Sequence, residues 1–235
     1  MTLVAVLGVA LIAMAIARTF NSRPPIPVAD HTPVETGQPA TIALRTTFGA
    51  RTHGELSAVE LDLARGFHFD RRAAATCTVA LARLGDCPVT STIGSGDGTI
   101  VVDGTYLPRS ADPVDATLYL APPQHRTDLA GVLLDLYEVQ SKLHVTLRGR
   151  VAALARGPYG LALRFSRTQS ELPHGYDLSL LALDAVIGAH RTVGHTTYDL
   201  LTDSSSCSGP GWAIQLLIDS AGQLQVYRGN ASCQP

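Results

Sequence analysis

The chain has 235 residues, of which 18 are Lys or Arg and 20 are Asp or Glu, so its formal net charge is -2. This balance excludes a protein that binds nucleic acid mainly through its charge, because such a protein needs a surplus of cations on one face. With 46% apolar and only 16% charged residues, the chain can bury a substantial core and is not an intrinsically disordered polyampholyte.

The N-terminal segment has the pattern of an export signal. Residues 2–17 are apolar and uncharged, and they are fewer than the ~20 residues that cross a bilayer as a helix. Ala15 and Ala17 supply the small side chains that signal peptidase requires. The terminal amine is the only positive charge before this run, so a retained anchor and an ordinary buried segment stay open. We predict a signal peptide or membrane anchor over residues 1–17.

A proline-rich stretch follows this segment. Residues 18–40 contain five prolines and show no apolar periodicity. Because proline fixes φ and removes a hydrogen-bond donor, we predict an extended, semi-rigid linker here. The folded domain is then expected to comprise residues 41–235.

Beyond residue 40 the dominant pattern has period two, which is typical of half-buried strands. Leu143, Val145 and Leu147 alternate with polar residues. Further strands are predicted at residues 41–48, 59–63, 99–102, 116–121, 131–137, 161–166 and 178–187. The last of these is nearly all apolar, so we expect it to be central with both faces covered. About ten short strands without a long amphipathic helix predict a mainly β fold, either an antiparallel β-sandwich or a jelly-roll-like domain.

The C-terminal region has the pattern of a β-hairpin. Four apolar side chains share one face, and residues 219–222 then turn the chain into residues 224–228. The four are Trp212, Ile214, Leu216 and Ile218. Trp212 could serve as a platform for a sugar, but its place in this alternation favours the core.

Four cysteines form two local pairs, and the segment between the first two carries the one helix signal. Residues 76–85 predict a helix of one to two turns, because threonines at its start and Gly85 at its end can cap it. We predict the disulfides Cys77–Cys87 and Cys207–Cys233, since each closes a compact unit. A zinc site would need close C-x2-4-C pairs, which the sequence lacks, and free thiols remain the other alternative.

Two polar segments resemble ligand sites at first sight. Residues 93–98 are glycine-rich, but they lack the lysine and hydroxyl of a phosphate-binding loop, so we interpret them as a tight loop entering a strand. Asp112 and Asp115 flank Pro113 and could offer carboxylates to calcium or a sugar. A turn at Pro113 explains this second segment without a ligand.

His190, His195 and Asp199 form the densest cluster of side chains suited to catalysis or metal binding. Positions five apart on a strand point to opposite faces, so the two histidines share a site only if Gly194 breaks the strand between them. We name these three residues as candidate catalytic groups, against the alternative of exposed loop histidines. Residues 204–206 are serines, but they lack the G-x-S-x-G elbow of a nucleophile and are interpreted as polar linker.

Several short motifs resemble a known group of proteins. They are residues 66–70 (GFHFD), 77–81 (CTVAL), 87–96 (CPVTSTIGSG) and 207–212 (CSGPGW), followed by a terminal Cys233. Together they resemble uncharacterised secreted proteins of high-GC actinobacteria over most of residues 56–235. The resemblance implies an exported β-rich domain with two disulfides, and it attaches no activity, substrate or catalytic residue.

These observations predict a non-enzymatic exported module that is structural or binds a ligand, at the cell envelope or outside the cell. The expected partner is an envelope component or a small apolar ligand, with no nucleic acid, no metal and no cofactor. Membrane contact is expected only through the N-terminal segment. The alternative is an extracytoplasmic hydrolase or metal-dependent enzyme that uses the region of His190, His195 and Asp199.

Overall fold

The computed structural model describes residues 28–31, 38–47, 56–104, 111–170, 176–203, 212–220 and 223–231. The predicted mainly β, antiparallel fold with one short disulfide-stapled helix is confirmed. No helix within these ranges is long and apolar enough to span a membrane. The predicted signal segment, the serine run and Cys207 and Cys233 all lie outside the described residues.

Among the residues that the structure describes, eleven antiparallel strands form one large sheet with the order β1-β2-β10-β5-β6-β7-β8-β9-β3-β14-β15. Their bounds are β1 Val28–His31, β2 Ile42–Thr47, β3 Leu56–Ala64, β5 Thr92–Gly104, β6 Ala111–Ala121, β7 Asp128–Glu138, β8 Leu143–Arg156, β9 Tyr159–Ser170, β10 Tyr176–Ile187, β14 Trp212–Ser220 and β15 Gln223–Ala231. The sheet curls like a half-barrel, so that β1 approaches β15 although the two strands are at opposite ends of the order. Strand β1 lies within the predicted linker and pairs with β2.

Two small two-stranded sheets accompany the large one. Strand β11 (His190–Val193) pairs with β12 (Thr196–Asp199), and β4 (His68–Phe69) pairs with β13 (Leu201–Thr202). The helix α1 (Val79–Arg83) lies between two single 3-10 turns, Arg71–Ala73 and Val89–Ser91.

The main core fills the inner face of the curled sheet. On β6 and β7 it takes the even-numbered side chains, which are buried, as period two requires. The predicted C-terminal hairpin is confirmed, and its four apolar residues are all buried. Trp212 packs edge to face on Phe67 with ring centroids 5.4 Å apart. The tryptophan is therefore a core residue and not a sugar platform.

The central strand with both faces covered is β7, not the predicted residues 178–187. In β10 the outer side chain of Val186 is 44% exposed. In β7 the odd-numbered face is also covered, because Leu133 packs with Cys77, Ala82 and Ala121 in a second, smaller apolar cluster. The disulfide-stapled segment thus forms an outer layer over the middle of the sheet.

The two loop interpretations of the sequence are wrong. The glycine-rich residues 94–98 lie inside β5. Pro113 lies inside β6, where it pairs with Thr99 of β5. Because Asp112 and Asp115 are three apart on one strand, they point to opposite faces and do not form one cation site. The glycines of β5 have no Cβ, and this allows the backbone of β10 to approach closely.

Candidate functional site

The structure brings together two of the three predicted catalytic residues. His190 and Asp199 are direct cross-strand partners at the open end of the β11–β12 hairpin. His195 follows Gly194, which has φ +63°, in the turn at the other end, about 10 Å away by strand rise. Both histidines are exposed. Within the described ranges, no three His, Cys, Asp or Glu side chains form a group that could hold a metal ion.

A different acid and base pair lies on the outer face of the sheet, where the stapled layer covers it. His144 Nδ1 on β8 is 2.8 Å from Asp135 Oδ2 on β7. The Thr146 hydroxyl donates to the other carboxylate oxygen of Asp135 at 3.4 Å. Asp135 and Thr146 are buried, while the His144 side chain is 24% exposed.

The β7–β8 hairpin sets this pairing through its register. Asp135 is opposite Thr146, and Tyr137 is opposite His144, so all four side chains are on one face. Tyr137 lies beside the imidazole with ring centroids 4.6 Å apart. In the turn, the Glu138 carboxylate accepts hydrogen bonds from the Ser141 side chain and from the backbone N–H groups of Ser141 and Gln140, and these hold its pKa below the usual value.

The turn after α1 closes the outer side of His144. Thr78 caps the start of the helix, and Gly85 ends it with φ +71°. A Cβ on Gly85 would be 3.2 Å from both Cε1 and Nε2 of His144. The backbone of the stapled layer therefore lies against the ring edge that faces away from Asp135. The disulfide Cys77–Cys87, with Cα atoms 5.5 Å apart, ties the two ends of this segment together.

Burial dominates the electrostatics of this pair. It raises the pKa of Asp135 above its usual value, although the hydrogen bonds and charge of His144 oppose the shift. The pKa of neighbouring Tyr119 is also raised, first by burial and then by the charge of Asp135. An Nδ1–H donated to the carboxylate leaves Nε2 as the proton acceptor, which is the arrangement of a general base. Here that nitrogen faces the protein's own turn.

A second polar cluster, also on the outer face, surrounds Asp62 on β3. Arg156 Nη2 donates to Asp62 Oδ2 at 2.6 Å and to Glu60 Oε1 at 3.0 Å. Gln215 from β14 donates to the same Asp62 oxygen at 2.9 Å, and Arg228 from β15 donates to Gln215. Asp62 is fully buried, and burial raises its pKa despite the hydrogen bond from Arg156. This cluster joins five residues of four strands, β3, β8, β14 and β15, into one network.

Neither cluster was predicted from the sequence. The clearer signal was a carboxylate within an apolar run, Asp135 in GVLLDLY, whereas Asp62 in LSAVELDLA alternates with Glu60 as on an exposed face. Such residues are seldom buried without partners, so each indicates a polar contact from a neighbouring strand. The partner residues are determined by the order of the strands in the sheet, which the sequence pattern does not contain.

The fold and these clusters define a class of protein, a mainly β domain with a disulfide-stapled outer layer and buried polar contacts between its strands. Comparison with protein-family models, curated proteins and solved structures finds no match to this chain. The architecture and its contacts are therefore the basis of the functional proposal.

The raised pKa of Asp135 predicts a pH effect that Asp135→Asn removes. A carboxyl whose pKa is higher in the folded state stabilises the fold below the unfolded value, 3.8, and this contribution is lost as pH rises through the folded value. We expect the free energy of unfolding of Asp135→Asn to rise relative to wild type between pH 4 and pH 7. Urea titrations at each pH measure this difference, with Asp97→Asn at an exposed position as the control. A difference that is independent of pH would contradict the prediction.

Proposed function

We propose that the chain is an exported, non-enzymatic β module that is structural or binds a ligand at the cell envelope or outside the cell. The contact of Gly85 with His144 is the observation that carries this proposal. It supports a structural use of the pair, since the stapled turn at Gly85 lies over the Cε1–Nε2 edge of the imidazole. A histidine that served as a general base would need that nitrogen open to a substrate.

The disulfide and the N-terminal pattern support export. Disulfides persist mainly in oxidising compartments, and the structure contains one between Cys77 and Cys87, which are ten residues apart. Residues 1–17 match a signal peptide or anchor, and the sequence motifs resemble secreted actinobacterial proteins. We therefore propose that the mature chain lies outside the cytoplasm of a high-GC actinobacterium, with any membrane contact made through the N-terminal segment.

The partner that we propose is an envelope component or a small apolar ligand. The outer layer supports this, because large aliphatic side chains are exposed within the stapled segment, at Leu84, and just after it, at Val89. Leu84 is 69% exposed and Val89 is 88% exposed. Exposed aliphatic groups of this kind favour an apolar contact over a charged one.

Native mass spectrometry of protein recovered from the envelope or medium of an actinobacterial host tests this proposal. We expect a chain that lacks residues 1–17 or retains them in the membrane fraction. Its four cysteines should all be oxidised, so that the mass is four hydrogens below that of the thiol form. Retention of the chain in the cytoplasm with reduced thiols would overturn the proposal. A co-purified lipid or envelope fragment would identify the ligand class.

The second candidate is an extracytoplasmic hydrolase or metal-dependent enzyme that uses the region of His190, His195 and Asp199. The cross-strand pairing of His190 with Asp199 is the observation that favours it. Turnover of an ester, peptide or glycoside substrate by wild type, lost in His190→Ala and retained in His144→Ala, would establish this enzyme. Zinc binding that His190→Ala abolishes would support the metal-dependent form.

A further inference from the structure

The outer layer reaches His144 through a segment with little stability of its own. Helix α1 has only five residues, and isolated helices of that length do not persist in water. Its end is formed by three backbone hydrogen bonds, from Leu84 N–H and Asp86 N–H to the Leu81 carbonyl at 3.1 and 2.9 Å and from Gly85 N–H to the Ala82 carbonyl at 3.0 Å. These bonds give the turn its shape but do not attach it to the sheet.

The segment is attached to the sheet by the disulfide and by Ala82, which packs with Leu133 in the second apolar cluster. Cys77 is fully buried, and its backbone N–H donates to the Leu120 carbonyl of β6 at 2.7 Å. Cys87, two residues after Gly85, is covalently bound to this anchored cysteine. The bond therefore holds the far end of the segment near the sheet, and with it the glycine that covers the imidazole edge.

We propose that the Cys77–Cys87 disulfide is a redox gate over the Asp135–His144 pair. When a dithiol reduces the bond, two electrons and two protons convert the disulfide to two thiols, and the dithiol becomes its own disulfide. The turn at Gly85 then loses its cross-link to Cys77 and opens by local unfolding. The sheet and the Asp135–His144 hydrogen bond remain. Reduction exposes His144 Nε2 to solvent and to acylating or protonating molecules. The gate depends only on these contacts, whether or not the chain is exported.

Acylation of histidine by diethyl pyrocarbonate tests the gate. The full chain is modified for a series of times, and the rate at each histidine is measured by peptide mass spectrometry. His190 and His195 are exposed and serve as internal standards. In the oxidised wild type we expect His144 to react at least about tenfold more slowly than these two. In Cys77→Ser/Cys87→Ser we expect its rate to approach theirs, since an opened segment no longer protects it. The serine variant avoids reaction of the reagent with free thiols.

Two further measurements separate local opening from loss of the fold. Cys207→Ser/Cys233→Ser is the matched control, and it should leave the rate at His144 unchanged. Hydrogen exchange of wild type with and without dithiothreitol should accelerate within residues 78–90 and not in β7 or β8. An unchanged rate at His144 in the folded serine variant would overturn the gate. So would acceleration across the whole sheet together with a shift of Trp212 fluorescence, because the staple would then hold the entire fold.

Discussion

Replacing Gly96 with alanine is expected to destabilise the fold by about 3 kcal/mol or more, at the upper end of what overpacking costs. The added methyl group would meet the backbone of β10, at 2.6 Å from Ala185 Cα. Backbone cannot move aside as a flexible side chain can, so the two strands must separate. Chemical denaturation of Gly96→Ala against wild type measures the loss.

The reason for this sensitivity is the curl of the sheet at β5 and β10. Gly94, Gly96 and Gly98 alternate on the core-facing side of β5, and a Cβ at each would crowd a carbonyl oxygen of β10. The distance would be 2.5 Å from Gly94 to the Val186 oxygen and 2.8 Å from Gly98 to the Ala182 oxygen. Three glycines on one face thus permit the close approach of the two strands within the curled sheet.

Gly229→Ala is the matched control for this prediction. Gly229 is also a strand glycine, but a Cβ there would have no neighbour within 4 Å among the described residues. We expect a change in stability within about 0.5 kcal/mol, as for a surface substitution. Equal losses for the two variants would show that glycine content, and not close approach, determines the effect at Gly96.

The local sequence pattern predicted those strands for which the alternation of apolar and polar residues is sufficient evidence. The alternation at Val59, Leu61 and Leu63 predicted β3, and the hairpin of β14 and β15 was predicted with its buried face. The glycine-rich residues 94–98 were wrongly predicted to form a loop, because clustered glycines usually indicate one. In this fold they are in β5, where the close approach of β10 requires glycine. Pro113 misled in the same way, since tertiary pairing with Thr99 overrides its turn preference.

The candidate site was less predictable because it depends on register between strands. Asp135 and His144 are nine residues apart, and they meet only if the turn lies at residues 139–142. A shift of one residue would move His144 to the core face. Gly85 was predicted as a helix end, but its contact with His144 follows from how the stapled layer lies on the sheet. Period two alone contains no information about that packing.

The second large effect is expected from Arg156→Ala, which should lower stability by about 3 kcal/mol at pH 7. Removing one partner of a buried ion pair leaves an uncompensated charge, which costs about 3 to 5 kcal/mol. We take the lower end, because the Arg156 side chain is 53% exposed and water partly screens it. Asp62 would keep the hydrogen bond from Gln215 but lose its cationic partner. Arg45→Ala, whose ion pair with Asp184 is on the surface, is the control and should cost about 1 kcal/mol at most.

The pH dependence of this loss identifies Asp62 as its origin. Burial already raises the pKa of Asp62, and Arg156 opposes that shift, so the variant should raise the pKa further. A raised carboxyl pKa stabilises the fold below the unfolded value, 3.8, and the contribution disappears as pH rises through the folded value. The deficit of Arg156→Ala should therefore be smallest near pH 4 and largest at pH 7 to 8. Asp62→Asn in the same chain should restore part of the stability at pH 7, because no buried charge remains. A deficit that is constant with pH, or a double variant weaker than Arg156→Ala, would assign the effect to lost packing of the arginine stem instead.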